Sequence, residues 1–246
     1  MSETLAPPVI EAPAAQQGLL SRAVGVITSP RRTYAGIVAL PRVFGALVLI
    51  IALTAGANLV FYNTRVGQDA LLDQQIRTIE SFGRQVDDAM YANLEKQAPF
   101  AGYITAGSII VASPLVMLLF AGIAFVVFNA ILGGTSTFKQ TFAVVVHSGF
   151  VGTLAQFFVL PLNYVREATS SPANLGVFLP FLDENSFAAR FLGGTDLVLI
   201  WGLVNLAIGL GVLYKRRTGP IATGLLIVYF VIVLVVAAVR SALSGA

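Results

Sequence analysis

One histidine, a handful of amides and one glycine-rich turn are the residues whose types could do chemistry in this chain. His147 lies inside a long apolar run, residues 142–162. An ionisable group in such a run is a functional candidate by default, for instance as a proton relay. A relay needs partners, and no apolar run here contains Asp, Glu, Lys or Arg. We therefore read His147 as a neutral, structural side chain bonded to a neighbouring helix. The sequence has no Cys and a single His, which removes thiolate sites and most zinc and haem geometries. No catalytic, cofactor or metal set is expected, and the chain reads as non-enzymatic.

Asn58, Asn129, Gln156 and Asn205 are the main polar side chains within the apolar runs. They could line an aqueous path. Their spacing favours helix contacts instead. Gly149, Gly152 and Gln156 share one helical face, and Gly202, Asn205 and Gly209 share another. Small residues let two backbones approach in lipid, and an amide among them fixes the register. We expect these two faces to meet, with Gln156 bonded to Asn205. The turn Gly133-Gly134-Thr135-Ser136-Thr137-Phe138-Lys139-Gln140 hints at a phosphate loop. Its spacing does not fit GxxxxGK[ST], and no parallel-sheet context surrounds it. Read structurally, the glycines end one helix, a Thr or Ser caps the next, and Lys139 anchors at headgroups.

These residues are positioned by five uncharged apolar runs: 43–62, 104–132, 142–162, 197–214 and 221–239. About 20 apolar residues cross the hydrocarbon layer as a helix. Lipid offers no partner for an open backbone, so helices are the spanning form these runs allow. The hydrophobic fraction of 57% with 11% charged residues agrees. The expected fold is all-α, a polytopic bundle of five transmembrane helices. Pro114 within the second run predicts a local bend. Residues 1–18 read as a disordered tail rich in Ala, Pro and Gln, and residues 19–246 as the membrane domain. Glu3, and the lack of an apolar core just after it, argue against a signal peptide.

Between the runs lie shorter signals. Residues 19–40 suggest a short helix on the inner leaflet or a plain linker, with Leu20, Val24 and Ile27 on one face. Residues 63–103 carry Leu72, Ile76, Ile79, Val86, Met90 and Leu94 at helical spacing, with charges on the other face. This predicts an amphipathic helix between spans one and two, interrupted near Gly83. The piece 177–182 is too short to cross and is expected to dip into the interface or cap the bundle.

Orientation follows from basic residues near span ends. With the N-terminus inside, the cytoplasmic segments hold eight: Arg22, Arg31, Arg32, Arg42, Lys139, Lys215, Arg216 and Arg217. The opposite side holds seven in longer loops, mixed with ten acidic residues. The expected topology is N-in and C-out.

Gly133-Gly134 followed by Thr137-Phe138-Lys139-Gln140 resembles the connection between spans two and three in the Ypt-interacting-protein (Yip) family. Asp196 with Trp201, Leu203 and Gly209-Leu210 is similar to that family's fourth span. Ser29-Pro30 with Thr33-Tyr34 looks like its entry segment. The resemblance covers about residues 25 to 240 and implies a membrane scaffold. Eukaryotic relatives bind Rab-type GTPases in vesicle trafficking, so a GTPase partner is implied by family alone. The long loop between spans one and two looks like the bacterial branch, which implies a bacterial cytoplasmic membrane. The expected partners are the lipid bilayer and a membrane protein or a second copy; nucleic acid is not among them. The rival reading is a small permease or the membrane subunit of a transporter, and the absence of buried charge speaks against it.

Overall fold

The computed structural model describes residues 18–183 and 186–243, and every regular element among them is helical. The expected tail falls almost wholly on residues 1–17, outside the described residues. Two short helices open the chain, α1 (Leu19–Thr28) and α2 (Pro30–Ala39). The first long apolar helix follows, α3 (Phe44–Tyr62). α4 (Arg65–Ser81) and α5 (Asp88–Gln97) occupy the connection to α6 (Ala101–Phe125), which continues as one π-turn segment, Val126–Ile131. α7 (Phe138–Ser148) and α8 (Phe150–Arg166) are separated only by Gly149. α9 (Phe187–Gly194), α10 (Leu197–Leu213) and α11 (Thr218–Leu243) complete the chain.

Four stretches are long and apolar enough to cross a membrane: Phe44–Tyr62, Asp88–Ile131, Phe138–Arg166 and Thr218–Leu243. α10 is as apolar but has 17 residues, about 25 Å at about 1.5 Å per residue. That falls just short of an average hydrocarbon layer of about 30 Å. Length alone therefore gives four spans where the sequence suggests five.

The bundle has two distinct ends. At one end Tyr214, just after α10, meets Ser136 before α7, and Arg31 of α2 meets Thr218 at the start of α11. At the other end Thr169, after α8, bonds Gln74 of α4. There too Leu197 of α10 donates its backbone N–H to the Ala173 carbonyl. The last turn of α11 also reaches that end, where Arg240 lies over the Phe82 ring. So α3, α6, α7–α8, α10 and α11 each run from one end to the other.

The amphipathic segment is two helices. Asp87 caps α5 by accepting the Met90 N–H at 2.7 Å. The chain turns between them at Gly83, whose φ of +75° suits glycine. The stripe residues Leu72, Ile76, Ile79, Val86, Met90 and Leu94 are all half-buried. In the second loop a 3-10 turn, Leu175–Phe178, takes in only the start of the apolar piece 177–182 and packs beside α9.

The opening segment differs from a helix lying on the leaflet. α1 and α2 fold as a helical hairpin against α7 and α10. Val26, Thr33, Tyr34 and Ile37 are fully or almost fully buried. Val26, Tyr34 and Ile37 join Val144, Val151 and Leu210 in the core. Gly25 makes the elbow tight, because Thr33 fills the space a Cβ would need. Leu20 and Val24, which the sequence places on the apolar face, are exposed. The buried face is instead the one that carries Val26.

If the hairpin belongs to the core, truncating its centre should weaken the whole bundle. Ile37→Ala is expected to destabilise by about 2–5 kcal/mol, as for buried Ile elsewhere. Leu20→Ala, at an exposed position, should change little. Thermal unfolding in detergent reads both, and equal midpoints would place the hairpin outside the core.

Candidate functional site

The most buried polar contact joins the hairpin to α10. α1 ends where Pro30 follows Ser29. Pro30 has no N–H, so the Val26 carbonyl four residues earlier has no helical donor. Asn205 supplies one: its Nδ2 donates to the Val26 carbonyl at 2.7 Å. The same amide accepts the Tyr34 hydroxyl proton on Oδ1 at 2.5 Å. Tyr34 is fully buried and Asn205 almost so. Gly209, one turn along α10, lets the Tyr34 ring approach: a Cβ there would sit 2.9 Å from that ring and 2.6 Å from Val144. The contact thus uses a proline and a tyrosine of α2 and an asparagine and a glycine of α10, closed on the Val26 carbonyl of α1.

A second network closes the same end. The π-turn segment leaves the Phe128 carbonyl free to accept the Gly134 N–H at 2.8 Å. Gly133 takes a φ of +69°. Gly134 has no room for a side chain, since a Cβ would meet the Tyr214 ring at 2.7 Å. The Tyr214 ring stacks on Phe128 with centroids 4.6 Å apart. The Ser136 hydroxyl donates to the Tyr214 hydroxyl at 2.7 Å, and Asn129 donates to the Ser136 carbonyl at 2.7 Å. Thr137 and Gln140 form a reciprocal capping box on α7. Gln140 also donates to the Val38 carbonyl at 3.2 Å, which ties the cap to α2. Phe138 packs edge-on to Phe125. Lys139 is exposed.

Gln156 and Asn205 do not meet. Asn58 of α3 donates to Gln156 at 3.4 Å, one turn from the Thr54–Thr153 hydroxyl pair at 3.3 Å. Gln156 therefore serves the α3–α8 contact, while Asn205 serves the hairpin. Gly149 faces Met117 of α6 and Ile50 of α3. Gly152 and Gly202 each have open space where a Cβ would go, and α7–α8 meets α10 through Gly209 against Val144. At the other end Asp196 caps α10, accepting from Val198 and Leu199 at 2.7 and 3.0 Å. The Asp196 N–H donates to the Tyr229 hydroxyl oxygen at 2.8 Å, and that hydroxyl donates to the Gly194 carbonyl. Trp201 is exposed.

His147 is fully buried. Its Nδ1 lies 2.7 Å from the Ala143 carbonyl of its own helix, which assigns the ring proton to Nδ1. Nε2 is buried without a hydrogen-bond partner. Arg22 of α1 is also buried. Desolvation, then the nearby Arg42 charge, lower its pKa from the usual value. Among the described residues no cluster of three or more His, Asp or Glu side chains is placed to hold a metal ion. What the arrangement does is hold helices in register. Sequence reasoning passed over Tyr34 and Val26 as a site. The readable signal was Pro30, which announces an unpaired carbonyl at Val26.

A family model described as the Yip1 domain matches residues 24–240. No curated protein matches, and no solved structure matches.

Removing one partner of the buried contact leaves the other unsatisfied, at about 1–3 kcal/mol. Tyr34→Phe and Asn205→Leu should each lower the unfolding midpoint. The double variant should lose less than the sum of the two. Strict additivity in that cycle would show that the two side chains do not interact.

Proposed function

Because the chain belongs to the Yip1-domain family, we propose that it is a non-enzymatic membrane scaffold acting through protein or lipid contacts. The observation that carries this reading is how Tyr34 and the main amides of the apolar runs are used, with His147 Nε2, left without a partner, tested separately below. Asn205, Tyr34, Asn58, Gln156 and Asn129 are all engaged in bonds that hold segments of the bundle together. A permease needs polar groups left over to face a substrate or coupling ion. The family adds a small GTPase as a candidate partner, and a membrane protein or a second copy is the other.

We infer that residues 19–246 form one unit of five spans, with α10 as the fourth. The support is geometric: five helical stretches run between the two ends of the bundle. α10 reaches both ends through Leu197 and Tyr214. A short span is accommodated by local thinning of the bilayer. The end bearing the hairpin carries Arg22, Arg31, Arg32, Arg42, Lys139, Lys215, Arg216 and Arg217. Within 18–43, 132–141 and 211–218 no acidic residue offsets them. This charge bias supports placing that end in the cytoplasm, hence N-in and C-out in a bacterial cytoplasmic membrane.

Two measurements test the reading. Reporter fusions after Arg217 should report cytoplasm and fusions after Leu243 the outside; cytoplasmic signals at both would remove one span. Purified protein in sealed vesicles should leave proton and solute leak at the protein-free level. A flux abolished by His147→Asn, with the fold retained, would install the permease reading instead.

A further inference from the structure

His147 is the one histidine of the chain, and it sits fully buried in α7. Its Nδ1 proton is committed to the Ala143 carbonyl. Nε2 therefore carries a lone pair, and it meets no donor among the described residues. A buried acceptor without a donor is uncommon in a folded protein. An imidazole nitrogen in that state has one further use, which is to take up a proton.

The surroundings decide what that proton does. α7 packs against α1, α2, α3, α6, α8 and α10. None of these helices, nor α7 itself, contains Asp or Glu. The charges they carry are all positive: Arg22 on α1, Arg31 and Arg32 on α2, Lys139 on α7 and Arg166 on α8. The last four are exposed. Arg22 is buried, and its charge acts on the His147 ring. Arg42, just beyond α2, adds a further positive charge that acts on Arg22. Tyr34, buried on α2, has its hydroxyl committed to Asn205. Tyr62, Tyr103 and Tyr164 lie at the opposite end. An imidazolium here is a second buried cation, and its new N–H has no acceptor. Both costs are relieved once water reaches the ring.

The way in for water is under α1. Ala23, next to Arg22, packs with Val146 and Phe150 in one apolar cluster. The Phe150 ring stands edge-on to His147 with centroids 5.9 Å apart. α1 thus borders the imidazole and brings the like charge to it. It has ten residues, and helices that short are not stable alone in water. α3, α6, α8 and α10 are longer and pass through the bundle from end to end. α1 is therefore the neighbour that yields.

We propose that His147 is a proton-operated release for the hairpin: a proton taken from water onto Nε2 drives Arg22 and α1 off α7 and α8 and breaks the Asn205 bond to the Val26 carbonyl. The closed bundle holds the neutral ring. The hairpin is therefore seated at high pH and let go as pH falls, and it reseats when the proton returns to water.

The test uses the full chain in nanodiscs with spin labels on Val24→Cys of α1 and Val48→Cys of α3, both exposed positions in a chain without native Cys. Double electron–electron resonance reads their separation from about pH 7.5 to about pH 4, a range that spans histidine titration. One short distance is expected at neutral pH, and a longer one should grow in reversibly with acid. His147→Asn and His147→Gln keep an amide donor and take up no proton. Whichever retains the short distance at neutral pH should retain it throughout. The Arg22 variants read the same coupling with His147 in place. Arg22→Gln, which removes the like charge, should cut the ratio of long to short distances at the acid end about five- to tenfold. Arg22→Lys, which keeps the charge, should preserve that ratio. A single distance at every pH in the native chain overturns the proposal. So does an acid transition that survives at a neutral position 147, or one that Arg22→Gln leaves unchanged.

Discussion

The bond between the Tyr34 hydroxyl and the Asn205 amide, with its companion to the Val26 carbonyl, is the constraint on which the rest of this bundle depends. Lipid tails are as apolar as leucine, so burial alone gives helices in a membrane little reason to associate. Directional contacts must choose the partners. Pro30 ends α1 and leaves one carbonyl without a donor; Asn205 supplies it and is held in turn by Tyr34. Each member of the set would be a liability alone. Together they seat a helical hairpin across α7 and α10, and Val26 and Tyr34 belong to the larger core cluster.

The glycine-rich turn extends the same logic. Between the π-turn segment that ends α6 and the start of α7 the chain has six residues, 132–137, in which to reverse. The π-turn and Gly133 make the reversal, and Gly134 allows Tyr214 to lie flat against Phe128. Gln140 caps α7 and reaches α2. The residues that carry the family resemblance at this turn are therefore those that fasten three segments at one end. These contacts are structural: carbonyls left open at helix ends are satisfied by side chains from elsewhere.

Much of the architecture was legible because its causes are local. Uncharged runs mark the long helices, the Thr-Ser-Thr stretch marks the cap of α7, and Gly83 marks the break in the amphipathic loop. The hairpin was not legible as core. Ten-residue helices with Arg22 or Arg31-Arg32 beside an apolar face look the same whether they rest on headgroups or on protein. The partners of Gln156 and Asn205 were not legible either, since two amides on small-residue faces do not say which helix each addresses. α10 has a boundary length that pattern alone leaves ambiguous. α9 has only eight residues and packs through the fold, so periodicity gave no sign of it.

Hydrogen–deuterium exchange in nanodiscs tests the central claim most directly, by following backbone amides of residues 19–39 in the native chain and in Asn205→Leu. The account predicts that the native hairpin exchanges as slowly as α7 and α10. It predicts that Asn205→Leu speeds exchange in the hairpin while α3 and α11 stay protected. A hairpin that exchanges as fast as α4 and α5 in the native chain, indifferent to position 205, would contradict it.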